Sequence, residues 1–361
     1  MSLNHIFISL FLVSISLHSY SQNKDSIALR KHFDYYLTQS NCYKNLEFLS
    51  TKIESRLSGS PGAAKAVTWA KKAMYEAGAD TVYLQPCMVP HWVRGEKETC
   101  TSINSKTKKQ TSYNICALGN SVGTSKTGLN APVIIVNSYA QLDSLGEKNI
   151  KGKIVFYNVY FDHKHLSTGT CYGETVTYRY SGPSKAAKYG AVATIVRSMS
   201  SINNDFPHTG VMGYDTVLTK NRIPACAISF SGADKLLEEL KANPAMTLQL
   251  KMNCQMLAKE LSYNVVGEIK GSEKPNEIIM AGGHLDAWDN GQGAHDDGAG
   301  VVQAMEVLAM YKKQNIKPKH TIRAVAFMAE ENGGAGAKAY FEDVKKNNLK
   351  HIAALESDAG G

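Results

Sequence analysis

Along the chain, apolar positions recur at helical spacing in some stretches and alternate or run together in others. Residues 34–79 read as helical, broken at Gly59-Ser60-Pro61-Gly62, with Ala63–Ala77 spaced as one helix and Gly78 as its stop. Val82–Val93 is strand-like. Residues 97–128 are polar, with a short apolar stretch at Tyr113–Leu118, and read as an exposed hairpin or a boundary region. Short apolar strands follow at Pro132–Asn137, Lys153–Tyr160, Ala191–Arg197 and Pro224–Phe230. Helices are expected at Ser184–Tyr189 and Ala233–Ala242, the second capped by Ser231. Thr247–Met252 alternates as a strand.

Beyond Ala258 the pattern changes to strand–helix–strand–helix–strand. The strands are Asn264–Ile269, Glu277–Ala281, Thr321–Ala329 and Ile352–Glu356. The helices are Ala299–Gln314, with Val301, Met305 and Leu308 on one face, and Gly334–Asn347. Near-continuous apolar strands are expected when both faces of a sheet are covered. The fold class is therefore α/β, with a mostly parallel mixed sheet flanked by helices.

Length and composition narrow the class. The 361 residues allow two domains, and 43% hydrophobic with 20% charged residues can bury a sizeable core. The longest apolar run, Ile6–Leu17, is too short to span a bilayer as a helix, so no integral membrane span is expected. With Ser19-Tyr20-Ser21 after it, this run reads as an export signal over residues 1–21, although the n-region has His5 and no Lys or Arg. An exported chain, periplasmic or secreted, follows. The net charge is +8, but residues 251–361 carry 13 basic and 15 acidic side chains. No basic stripe with aromatics appears, so nucleic acid is not expected as a partner. Seven cysteines without a Cys-x-x-Cys pair argue against a zinc ribbon, and their odd number leaves at least one thiol unpaired within the chain.

Three polar clusters follow three apolar strands: Gly282-Gly283-His284-Leu285-Asp286, Glu330-Glu331 and Asp358. A fourth, His295-Asp296-Asp297-Gly298, lies in a glycine-rich loop before a helix. Ligands of open α/β sheets bind beyond the carboxyl ends of strands, so these clusters can converge. One imidazole and several carboxylates suit a divalent metal, zinc among them. Asp296 is placed to bridge two such ions, and the Glu330-Glu331 pair can divide its work between ligation and proton transfer. Taken singly, each piece has a blander explanation: a core histidine, a solvated Glu pair, an Asp-Asp turn. The ordered set is far more specific. Ser60, Ser184 and Ser357 lack a nucleophile-elbow context.

The stretch from Gly282-Gly283-His284-Leu285-Asp286 through Ala294-His295-Asp296-Asp297-Gly298, with Ala329-Glu330-Glu331-Asn332-Gly333-Gly334 and Glu356-Ser357-Asp358-Ala359-Gly360, resembles the co-catalytic di-zinc metallopeptidases of the aminopeptidase and glutamate carboxypeptidase type. Pro207-His208-Thr209-Gly210 fits the protease-associated domain inserted in such enzymes. The resemblance implies that His284 and Asp358 bind one zinc, Asp296 bridges both, Glu331 binds the second and Glu330 is the general base. Asp286 would orient the His284 ring through its other nitrogen. It further implies small peptides or dipeptides as substrate and a possible homodimer. The implied domains are a signal peptide at 1–21, the first part of the peptidase domain at 22–125, an inserted protease-associated domain at 126–255 and the metallopeptidase core at 256–361.

Two departures are visible. His295 stands where the family carries Met or Asn. The family's further zinc-ligating histidine, downstream of the Asp358 motif, has no counterpart before Gly361, since His320 and His351 do not match it. The core is thus expected to be incomplete at its C-terminus, with the second of two zinc sites short of a ligand. Two other readings of the same residues are a non-catalytic binding protein on a peptidase fold, or an inactive fragment, and a single-zinc acyltransferase resembling glutaminyl cyclases.

Overall fold

The computed structural model describes residues 24–361 apart from 54, 105–107, 163, 359 and 361. The export signal expected at 1–21 lies outside the described residues. Three helices open the chain: α1 over 24–39, α2 at Cys42–Thr51 and α3 at Pro61–Glu76. Ser60 starts α3 by accepting from the Ala63 N–H, with Pro61 at the first helical position, where a missing N–H costs nothing.

Strand β1 (Thr81–Val89) follows, and Pro90 separates it from the two-residue β2 (Trp92–Val93). The next eight longer strands form one sheet. They are β3 (Thr99–Ile103), β4 (Gln110–Tyr113), β5 (Ile115–Ala117), β6 (Leu129–Val136), β7 (Ile154–Tyr157), β8 (Ala193–Arg197), β9 (Ala225–Ile228) and β10 (Thr247–Lys251), ordered β4-β3-β10-β6-β7-β8-β9-β5. The middle of this sheet, β6 to β9, is parallel, and β7, β8 and β9 are buried along their whole length. That explains their unbroken apolar runs. The polar hairpin expected within 97–128 is β3–β4. Because β3, β4 and β5 pair into this sheet, it takes in strands that precede residue 126, where the inserted domain was expected to begin.

Helices α4 (Tyr139–Ile150), α5 (Thr168–Tyr180), α6 (Gly182–Lys188) and α7 (Phe230–Ala242) flank the second sheet. The sequence pattern misses α4 and α5. Gly146 interrupts α4 with non-helical backbone angles, and α5 is rich in Thr, Gly and Tyr, which weaken the helical signal. The cap of α7 is Ser229, which accepts from the Gly232 N–H, and not Ser231, whose hydroxyl bonds the Asn204 carbonyl.

The other sheet holds the polar clusters. Beyond the short β11 (Gln255–Met256), it is built from β12 (Glu260–Ile269), β13 (Lys274–His284), β14 (His320–Phe327) and β15 (Lys350–Glu356), in the order β1-β12-β14-β13-β15. β14, β13 and β15 run parallel, while β1 and β12 are antiparallel additions. Helix α8 (Ala299–Lys313) crosses this sheet, and α9 (Ala335–Lys346) links β14 to β15. Val301, Met305 and Leu308 of α8 are buried against α3 and the sheet, as the spacing predicts. β15 departs from its expected burial: it is an edge strand, with Ile352 and Leu355 exposed.

Helix α8 can come so close to the end of β13 because Gly283 has no side chain. A Cβ there would stand 2.6 Å from backbone atoms of Gly300 and Val301 and 2.6 Å from Asp297 Oδ2. Gly283→Ala is therefore expected to force the helix start away from the strand and to destabilise the protein by about 1–3 kcal/mol, the usual cost of overpacking. Urea denaturation of the two forms measures it.

Candidate metal centre

His284 ends β13, Glu330-Glu331 follow β14, and Asp358 follows β15, so three parallel strands deliver their polar ends to one place. A loop between β13 and α8 brings Asp296 and Asp297 to the same point. His284 is buried, and its backbone N–H donates to Asp297 Oδ2 at 2.9 Å. The other Asp297 oxygen accepts from the Gly300 N–H at 3.0 Å. Nδ1 of His284 faces the Asp286 carbonyl at 2.9 Å. A carbonyl only accepts, so Nδ1 carries a proton and Nε2 is the nitrogen available to a metal in the neutral ring. Nε2 lies 3.0 Å from Asp296 Oδ1 and 3.5 Å from Asp358 Oδ1.

Asp286 works differently from the expectation. Its carbonyl, not its carboxylate, fixes the His284 ring, and the carboxylate stays 3.8 Å from Nδ1. The buried carboxylate instead accepts the Glu330 N–H at 3.0 Å and the Glu331 N–H at 3.2 Å. It thereby sets the Glu pair against the His loop.

His284, Asp296 and Glu331 offer ligand atoms within 4.8 Å of one another, and so do His284, Asp297 and Asp358. The four expected metal ligands, His284, Asp296, Glu331 and Asp358, are therefore gathered around His284, with Glu330 beside them. The sequence pattern left Asp297 as a turn residue. Its two oxygens brace the His284 and Gly300 backbone, a role that only the fold reveals. His208 stands in the electrostatic neighbourhood of Asp296, on a loop that the second sheet carries. Desolvation and the Arg179 charge lower its pKa, while Asp296 works the other way. The His295 ring lies against Gly360. His320 and His351 sit at the starts of β14 and β15, where they pair with Glu277 and Tyr340. All seven cysteines are free.

The loop after His284 also joins the two sheets. Arg94 grips the Asp289 carboxylate at 2.8 and 2.6 Å and donates to the Ala117 carbonyl at 2.7 Å. The Trp288 ring rests over Gly119 and meets Trp92 edge-on at 6.4 Å.

Six carboxylates around one imidazole make a strained electrostatic set. Burial pushes Glu331 up, the charges of Asp296 and Asp286 push further, and its pKa reaches about 8. Burial also raises Asp286 and Glu330, and takes Asp297 to about 6. For His284, burial lowers the pKa, but the hydrogen bond it donates to Asp296 and the Asp286 and Glu331 charges prevail and raise it to about 10. The bond to His284 lowers Asp296. Glu331 Oε1 is buried with no hydrogen-bond partner. A divalent cation among these atoms would neutralise the excess charge and give that oxygen its partner. The mixed nitrogen and carboxylate donor set fits zinc.

The matches to known proteins bear on the same residues. Residues 264–361 match the family described as Peptidase family M28. A solved Peptidase M28 precursor from Shewanella amazonensis is 32% identical, with a TM-score of 0.87, over 94% of this chain and 75% of that one. The chain belongs to peptidase family M28. Carboxypeptidase Q of Xenopus laevis is 39% identical over 322 residues, 89% of this M28 chain. Carboxypeptidase Q of Homo sapiens is 36% identical over 326 residues, 90% of it. This M28 chain spans 66% of the length of either relative.

The raised pKa values fix how metal-free stability depends on pH. Between about 4.5 and 8 the folded chain keeps a proton on Glu331 that the unfolded chain has lost, and between about 6.5 and 10 it does the same on His284. The folded state thus binds more protons across both windows, so stability falls as pH rises through them. Urea melts of metal-free protein from pH 5 to 9 should show this decline. Glu331→Gln should flatten its lower part, and an unchanged slope would refute the assignment.

Proposed function

We propose that the protein is an exported zinc-dependent exopeptidase that hydrolyses the peptide bonds of small peptides, dipeptides among them. The observation that carries this reading is the convergence of His284, Asp296, Glu331 and Asp358 at the ends of parallel strands, with Glu330 beside them. The shared family and the name carboxypeptidase Q borne by two relatives support a peptidase acting at a chain end.

In this reading His284, Asp296 and Asp358 would hold one zinc, and Asp296 with Glu331 would hold a second. Bound zinc supplies Lewis-acid chemistry, polarising the scissile carbonyl and acidifying water. The remaining work belongs to the chain. Asp296 would serve both ions. Asp286 holds the backbone of Glu330 and Glu331, so the two glutamates present their side chains from a fixed turn. Glu330 takes a proton from the attacking water and returns it to the leaving amine. Its exposed position lets substrate reach it, and its raised pKa strengthens it as a base relative to an ordinary glutamate. His208, in the electrostatic neighbourhood of Asp296, would reach a peptide terminus from the loop that the second sheet carries. Residues 1–21 direct export, and two copies associate as a homodimer.

Glu330→Gln keeps the size of the side chain and removes the base. It should lower kcat on a dipeptide by about 10²–10⁴-fold, the range a general base contributes, with zinc content unchanged. Steady-state kinetics beside metal analysis reads both. A variant with normal kcat removes Glu330 from the mechanism.

A further inference from the structure

Between α2 and α3 the chain passes through Arg56-Leu57-Ser58, a stretch with no helix or strand. Arg56 is 1% exposed, yet among the described residues its side-chain hydrogen bonds go to backbone carbonyls and not to a carboxylate. Nε donates to the Leu285 carbonyl at 2.9 Å, Nη1 to the Gln292 carbonyl at 2.9 Å and Nη2 to the Gly293 carbonyl at 2.8 Å. These carbonyls lie at the two ends of the loop that leaves His284 and returns as Asp296. One planar fork therefore pins both ends of that loop together.

The loop is shaped around the guanidinium. Gly293 has φ +58°, and a Cβ there would stand 2.5 Å from Nη2 and 2.3 Å from the Ala287 Cβ. The Gly293 carbonyl also accepts from the Gly298 N–H at 3.0 Å, which passes the restraint on to the segment carrying Asp296 and Asp297. Two residues after Arg56, Ser58 Oγ lies 3.1 Å from Asn332 Oδ1, just beyond the Glu330-Glu331 pair. Burying a guanidinium is costly, and an apolar side chain would fill the space at lower cost. An apolar side chain could not, however, gather three carbonyls from the two ends of the loop.

We propose that Arg56 is a positioning residue of the metal centre, holding the 285–293 loop so that His284 and Asp296 meet at the spacing a divalent cation requires. Its hydrogen bonds go to loop carbonyls and not to the ligand atoms, so it sets their spacing through the loop, while its charge also faces Asp286, Asp297 and Asp296. The inference rests on the reading of His284, Asp296 and Glu331 as metal ligands.

The test compares the protein with Arg56→Gln and with Arg56→Lys, which keeps the charge but not the fork. Zinc affinity is measured by competition with a chromophoric chelator, and the visible spectrum is recorded at saturating Co²⁺. Arg56→Gln should bind zinc about 10–100-fold more weakly, as loss of an outer support to a ligand usually does. Its cobalt spectrum should differ from the parent's even at saturation, and Arg56→Lys should fall between the two. A residue that only stabilises the fold would lower the melting temperature and leave the saturated spectrum unchanged. A folded Arg56→Gln variant with parental affinity and spectrum overturns the proposal. If that variant does not fold, the same two readouts on Arg56→Lys decide. A parent protein that binds no zinc overturns the metal-site reading, and this inference with it.

Discussion

The crowding of negative charge around His284 is the constraint on which the site depends. Asp286, Asp296, Asp297, Glu330, Glu331 and Asp358 all bear on one imbalance, which the His284 imidazole and the nearby Arg56 charge offset only in part. Metal-free, the site compensates by holding protons on His284 and Glu331. A divalent cation would replace those protons with a charge better matched to the set. The cost of assembling the carboxylates falls on the fold, which accounts for how much backbone is committed to holding them.

That commitment is local and specific. Parallel strands end in step, so β13, β14 and β15 present three clusters without long loops. Asp286 and Asp297 give their oxygens to backbone N–H groups and act as struts between loops. Gly283 lets α8 start against the strand end, placing Asp297 within reach of the His284 backbone. The second sheet adds its own tie through Arg94 to Asp289 and through Trp288 over Gly119, on the same loop that Arg56 fastens from the other side. Ligand placement and sheet packing are thus one structural problem.

Much of this was legible in the residues. The apolar runs marked nearly every strand, and the spacing of Val301, Met305 and Leu308 marked the buried face of α8. The ordered set His284, Asp296, Glu330-Glu331 and Asp358 marked the ends of strands and loops. Contacts between distant segments left no such trace. Asp297 looks like a turn residue until its oxygens are seen on His284 and Gly300. Arg56 has no periodic or motif signal, because its three partners are backbone carbonyls more than two hundred residues away. The resemblance implied that Asp286 orients the imidazole, but only the chain path shows that its carbonyl does so while its carboxylate faces the Glu pair. Helices α4 and α5 were lost to glycine and β-branched residues, and the exposed edge β15 to an apolar composition that reads as buried.

In the metal-free site, protons on His284 and Glu331 stand where a cation would bind. Calorimetric titration of the protein with zinc at pH 7, repeated in buffers of different ionisation enthalpy, counts the protons released per ion bound. Tight binding with release of more than one proton is expected, because His284 and Glu331 both hold theirs at that pH. Zinc binding without proton release, or no binding at all, would contradict it.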